Sequence, residues 1–195
     1  MGLMQLRREG EGGVWVLVLD DGRENRFTDS WFTEFDAALD TLEAAEGEGP
    51  TALVLAGPGP AGVAGSEAKF KFFSNGFDVA WLTNERTQGD ALKSLHRLLA
   101  RLLSFGIPTV CCITGHAFAG GAMLALACDY RVMNQDRGYF CTNELDLGFP
   151  FTDGMMALFS LKVPLHARSQ LLLGASRLTA ERCAVRKCSF TFLFR

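Results

Sequence analysis

A strong excess of either charge is missing from this 195-residue sequence: Lys and Arg number 19, Asp and Glu 22, and the net charge is −3. With no basic surplus to displace phosphate counterions, a nucleic-acid partner is not expected. Long unbroken apolar runs are missing too. The most apolar stretch, Ile107 to Cys128, is interrupted by Pro108, His116 and three glycines, so no membrane span is expected. There is no GxSxG, which removes the nucleophile elbow of Ser/His/Asp hydrolases. There is no CxxC pair and no spaced His partner, so no metal is expected. No signal peptide precedes the six cysteines (Cys111, Cys112, Cys128, Cys141, Cys183, Cys188), and four lie in apolar runs. They read as reduced, buried thiols of an intracellular protein. Met1-Gly2 resembles the start of a myristoylation signal, but Leu6 stands where Ser or Thr is needed.

What is present is a core. Hydrophobic residues make up 48% and charged residues 21%, which excludes global disorder, and the length suits one domain. Val14–Leu19 is a short apolar run rich in β-branched residues, read as a buried strand; 51–56, the apolar Thr109–Ile113 and 130–133 are read as further strands. Thr28, Asp29 or Ser30 caps a helix marked by Trp31, Phe35, Ala38, Leu42 and Ala45. A second amphipathic helix starts at Asp90, with Leu92, Leu95, Leu99 and Leu102 on one face, and stops at Gly106 and Pro108. From Gly121 to Cys128 the residues are apolar all round, as in a fully buried helix. Alternating strands and helices give an α/β class. After about Ala180 no pattern matches a clean helix, and Phe190–Phe194 would be aggregation-prone as an exposed strand.

Four segments invite a functional reading. Gly57–Gly62 formally fits GxGxxG, but prolines fill two variable positions and no well-formed helix follows, so we reject a dinucleotide site. Phe73–Asp78 (FSNGFD) contains the turn dipeptide Asn75-Gly76, which alone favours a hairpin. Gly115–Gly121 is a strand-to-helix junction whose free N–H groups suit an oxygen that becomes negative, or simply tight glycine packing. Glu144 has apolar neighbours and could act as a base in a dry pocket, although local spacing does not separate it from Asp146. His116 adjoins the glycine junction but reads as structural; His96 and His166 on helix flanks read as solvated.

Three motifs in order, FSNGFD (73–78), GHAFAGGAMLALACDYRVM (115–133) and NELDLGFPF (143–151), resemble the crotonase (enoyl-CoA hydratase/isomerase) superfamily. The likeness runs from about Val14 to Ala180 and is greatest to plant peroxisomal Δ3,Δ2-enoyl-CoA isomerases. It implies a spiral of strand-strand-helix turns as an acyl-CoA-binding core over residues 1–180. It further implies an atypical tail over 181–195, with the C-terminal helical part missing.

The same resemblance assigns roles. Backbone N–H groups of Phe77 and Gly120 form an oxyanion hole, Glu144 is the catalytic base, and Ser74, Asn75, Gly76, Asp78 and Val79 contact substrate. Arg26, Lys69 and Lys71 are candidates for the phosphates of coenzyme A, which is part of the substrate, so no separate cofactor is implied. Hydratases of the superfamily carry a second glutamate where this sequence has Met123. The implied reaction is conversion of 3-enoyl-CoA to trans-2-enoyl-CoA in fatty-acid β-oxidation. A hydratase, another enolate-forming acyl-CoA enzyme and an inactive truncated isoform are the alternatives. The resemblance implies a homotrimer and a peroxisomal location; the chain ends Leu193-Phe194-Arg195, not a peroxisomal tripeptide, which otherwise leaves the cytoplasm.

Overall fold

A computed structural model describes residues 2–11, 13–45, 49–58, 71–84, 88–186 and 192–194. Lys69, Cys188 and most of the Gly57–Gly62 loop lie outside the described residues.

Two sheets carry the chain. The larger has the order β1 (Met4–Glu9), β2 (Val14–Leu19), β3 (Ala52–Ala56), β5 (Thr109–Ile113), β7 (Tyr130–Asn134) and β9 (Phe192–Phe194). Only β1 runs antiparallel to its neighbour. The smaller sheet is parallel throughout: β4 (Phe72–Ser74), β6 (His116–Phe118) and β8 (Phe140–Cys141). The chain climbs by placing one strand in each sheet and then a helix. β3 and β4 precede α2 (Val79–Leu82) and α3 (Gln88–Leu103); β5 and β6 precede α4 (Gly120–Ala127); β7 and β8 precede α5 (Asp153–Lys162). The turn of β2 reaches the small sheet only through the parallel bridge Phe27–Phe77 before α1 (Asp29–Glu43). This is the expected α/β spiral of strand-strand-helix turns.

Local chemistry explains these elements. The Thr28 hydroxyl accepts the Trp31 N–H at 3.2 Å and caps α1. Trp31, Phe35, Leu39 and Leu42 form its buried stripe. Helix α4 is buried on every side, as its composition predicts. Its C-terminal carbonyls cannot reach water, and a buried arginine serves them instead. Arg131 of β7 is 1% exposed and donates to the carbonyls of Cys128 (2.6 Å), Ala125, Leu126 and Asp129 (3.2 Å each). A cation there also opposes the negative end of the helix dipole.

Three expectations need correction. Strand β1 precedes Val14; its mixed burial blurs the period-two signal. Residues 180–185 form a helix, α7 (Ala180–Val185), capped by Thr179 and anchored by fully buried Cys183. Six residues are too few for periodicity to stand out among arginines. Asn75-Gly76 is not a hairpin turn, because β4 pairs in parallel with β6 rather than with its chain successor. Helix α6 (Leu165–Leu172) completes the described elements. Among the described residues no helix is long and apolar enough to cross a membrane.

Arg131→Met should lower stability by roughly 3 kcal/mol or more, because the buried carbonyls of Ala125 and Leu126 lose this donor at once and that of Cys128 is left with Lys162 Nζ alone, at 3.2 Å. Urea denaturation measures this; a loss below ~1 kcal/mol would contradict the role given to Arg131.

Candidate active site

Two loops meet where the spiral turns pack together. After β4, the Ser74 hydroxyl donates to the Asn25 carbonyl at 2.8 Å and accepts the Gly76 N–H at 3.2 Å. Buried Asn25 holds this corner, donating its amide to the carbonyls of Leu19 and Phe73 at 2.9 Å each. Gly76 has φ +69°, a backbone state that a side chain resists. The Phe27 N–H donates to the Gly76 carbonyl at 2.8 Å, and the Asp78 N–H donates to the Phe27 carbonyl at 3.0 Å. This register uses the groups on either side of Phe77 and leaves the Phe77 N–H pointing away from Phe27. No acceptor among the described residues takes it.

The second loop enters α4 through Ala119, whose φ of +49° and ψ of −124° are strained for a residue with a Cβ. Its N–H donates to the Cys141 carbonyl at 2.9 Å, which holds the loop against β8. Ala119 supplies no side-chain cap, so Gly120 opens α4 with its N–H unpaired among the described residues. The two loops approach so closely that side chains are excluded. A Cβ on Gly76 would lie 2.8 Å from the Gly120 nitrogen, and one on Gly121 only 2.4 Å from the Ser74 carbonyl oxygen.

A cavity of about 330 Å³ lies at this meeting point. Phe77, Gly120 and Glu144 all line it, together with Met123, Asn75, Val79 and Arg26. Apolar side chains from α2, α3 and α5 (Leu82, Leu92, Leu95 and Met155), with Leu147 and Phe149, complete most of the wall. Of the other expected residues, Ser74 and Gly76 stand behind the wall and shape it. Asp78 caps α2, accepting the Trp81 N–H at 3.1 Å, and lines a neighbouring groove with Arg26. Arg26 pairs with Glu24 at 2.6 Å and donates to the Phe77 carbonyl at 3.3 Å. Lys71 lies 5.6 Å from the centroid of the Phe72 ring and is not among the residues lining the cavity.

Glu144 follows β8 and opens a 3-10 turn, Leu145–Leu147, that Gly148 ends at φ +76°. The turn ties the Glu144 main chain, whose carbonyl accepts N–H groups of Leu147 (3.0 Å) and Phe149 (2.9 Å). The residue is 7% exposed, and its Oε2 is buried with no hydrogen-bond partner among the described residues. Desolvation therefore disfavours the charged form and raises the carboxyl pKa from 4.5 to about 7. Asp146 is exposed and lines no part of the cavity, so burial separates the two acids that spacing could not.

The histidines divide. The His116 ring stacks on Tyr139 and its Nδ1 accepts the Tyr139 N–H at 3.0 Å, a structural role. Burial, then Lys71, Arg137 and Arg177, lowers its pKa and keeps that nitrogen an acceptor. His96 is not solvated as expected: it is half-buried, its Nε2 2.7 Å from the hydroxyl of Thr152, a residue of the cavity wall. Sequence reading also missed the wall positions on α3 and α5. Helical periodicity marks Leu92 and Leu95 as inward-facing but does not distinguish a core from a cavity lining.

The buried carboxyl carries a stability cost with a definite sign. Between pH 4.5 and 7 the folded chain binds more protons at Glu144 than the unfolded chain, so stability falls as pH rises through that window. Glu144→Gln should therefore stabilise the fold by roughly 3 kcal/mol at pH 8, with the gain shrinking towards pH 5. Urea titrations at both pH values measure it; equal stability at pH 8 would contradict a desolvated carboxylate.

Comparison with known proteins places this geometry. Residues 9–184 match the enoyl-CoA hydratase/isomerase family. The chain is 35% identical over 179 residues to enoyl-CoA delta isomerase 3 of Arabidopsis thaliana, covering 89% of this chain and 70% of that protein. It is 32% identical over 181 residues to the peroxisomal enoyl-CoA delta isomerase 2 of the same plant, with the same coverage. Its fold superimposes on a crystal structure of an enoyl-CoA hydratase from Mycobacterium ulcerans with a TM-score of 0.85. That match has 25% identity and covers 99% of this chain and 78% of the other. The protein belongs to the enoyl-CoA hydratase/isomerase family, and its core is a crotonase fold.

Proposed function

We propose that this protein converts 3-enoyl-CoA thioesters to trans-2-enoyl-CoA, with Glu144 as the single acid–base residue. The observation that carries the reading is the make-up of the cavity: Glu144 is the one carboxylate among its described lining residues, and Met123, where the family resemblance puts the second glutamate of hydratases, lines it as well. A thioether cannot transfer protons. Adding water across a double bond calls for both activation of the water and protonation of carbon, whereas moving a double bond needs one base that takes a proton and returns it. The delta isomerase names of the plant relatives support the same choice.

The chemistry follows from the parts. The C2 proton of a 3-enoyl thioester leaves readily only if the resulting dienolate oxygen is stabilised. In this reading the N–H groups of Phe77 and Gly120, both residues of the cavity wall, bond that oxygen, the second at the positive end of α4. Glu144 removes the C2 proton as carboxylate, the electrons shift towards the thioester oxygen, and the new carboxylic acid delivers the proton to C4. Base and conjugate acid are both accessible because the carboxyl pKa is about 7. The apolar wall suits an acyl chain and keeps water from the dienolate. Substrate contacts from Asn75 and Val79, and phosphate contacts from Arg26 at the shared rim of the cavity and the adjoining groove, complete the reading. A peroxisomal setting is what the name of the 32%-identical relative supports, and fatty-acid β-oxidation is our own reading of that setting.

Purified chain should convert 3-enoyl-CoA to 2-enoyl-CoA, with kcat/KM rising through an ionisation near pH 7. Glu144→Gln should lower kcat by 10²-fold or more while acyl-CoA affinity persists. Phe77→Leu, which keeps the N–H, should cost less than about tenfold. Hydration of 2-enoyl-CoA without isomerisation, or turnover retained in Glu144→Gln, would overturn the assignment.

A further inference from the structure

The two N–H groups assigned to the oxyanion hole belong to peptide units whose carbonyl ends are themselves occupied. The Ala119–Gly120 peptide presents its carbonyl to the N–H groups of Ala122 at 2.9 Å and Met123 at 3.2 Å, the first turn of α4. The Gly76–Phe77 peptide has no helix to do this. Its carbonyl accepts one bond among the described residues, from the Phe27 N–H at 2.8 Å. Phe27 is wholly buried, and its ring meets Phe77 edge-on at a centroid distance of 5.6 Å. Ring carbon Cε2 stands 2.7 Å from the point where a Gly120 Cβ would sit. Trp31 also packs against this ring, at 4.2 Å between centroids. One residue therefore touches both donor loops.

We propose that Phe27 is a positioning residue whose main-chain N–H, bonded to the Gly76 carbonyl, aligns and strengthens the Phe77 N–H as an oxyanion donor. The proposal rests on the reading of the Phe77 and Gly120 amides as that oxyanion hole. Physically it is a chain, N–H of Phe27 to carbonyl of Gly76, through the shared peptide, to N–H of Phe77 and the thioester oxygen. A hydrogen bond at one end of a peptide polarises it and strengthens the bond at the other by about 10–30%. Applied to a donor whose loss costs 10²–10³ in rate, that corresponds to roughly two- to eightfold in kcat.

The experiment replaces the Arg26–Phe27 amide by an ester, which deletes the Phe27 N–H and keeps every side chain. Its partner replaces the Phe77–Asp78 amide by an ester, which removes the other bond of the same bridge but leaves the Gly76–Phe77 peptide intact. A merely structural bridge would respond alike to both. The direct readout is the infrared stretch of the thioester carbonyl in bound, 13C-labelled octanoyl-CoA, a saturated thioester that cannot isomerise. The stretch should move to lower wavenumber in the native chain. It should lose part of that shift in the Arg26–Phe27 ester alone, with kcat two- to eightfold lower and KM little changed.

A native shift undiminished in that ester, or equal losses in both esters, overturns the proposal. No shift in the native chain overturns the oxyanion reading itself and the proposal with it. Should the ester chain fail to fold, the native protein supplies the test through the scalar coupling between Phe27 15N and the Gly76 carbonyl 13C. This coupling should grow when octanoyl-CoA binds, and an unchanged value overturns the proposal.

Discussion

The contact between the backbones at Gly76 and Gly120 is the constraint from which the site follows. A Cβ on Gly76 would fall 2.8 Å from the Gly120 nitrogen, and one on Gly120 would fall 2.7 Å from the Phe27 ring. Only side-chain-free positions let the loop after β4 and the start of α4 come this close. Both loops are held from behind. Asn25 and Ser74 fix the first, and the Ala119 N–H bonded to the Cys141 carbonyl fixes the second. The positive φ of Ala119 stores strain that the surrounding packing sustains. Such rigidity suits electrostatic catalysis, in which donors must already point at the place where charge appears.

The carboxyl group obeys the opposite logic. Nothing solvates Glu144 Oε2 among the described residues, and the fold carries that cost to hold a weak acid near neutrality. A surface carboxylate would be too feeble a base for a carbon acid, and one paired with arginine feebler still. Arg26, the cation among the described cavity-lining residues, is bonded to Glu24 and to the Phe77 carbonyl. Stability and chemistry thus pull against each other at this position, a trade common where a site needs a perturbed group.

Much of the architecture was legible in the chain because burial writes a clear signal. The apolar runs of β2, β3 and β5 and the all-round apolar α4 read directly. The spiral itself came from family resemblance, since its four turns share a geometry but no repeated sequence. Strand β1 and helix α7 were missed because short, half-exposed elements leave little periodicity. At the site, the glycines and Glu144 could be named from motifs, but their convergence could not, since residues 76, 120 and 144 meet only through the packing of separate turns. The His96–Thr152 contact and the buried Arg131 had no local signature. Each depends on a partner at a different level of the spiral or on carbonyls at the end of a helix.

The most direct measurement is a crystal structure of the chain with a bound, non-isomerising acyl-CoA. The account predicts the thioester oxygen about 2.7–3.1 Å from the nitrogens of both Phe77 and Gly120. It also predicts a Glu144 carboxyl oxygen within about 3.5 Å of C2. A thioester carbonyl bound away from those two amides, or a Glu144 side chain turned out of the cavity, would contradict it.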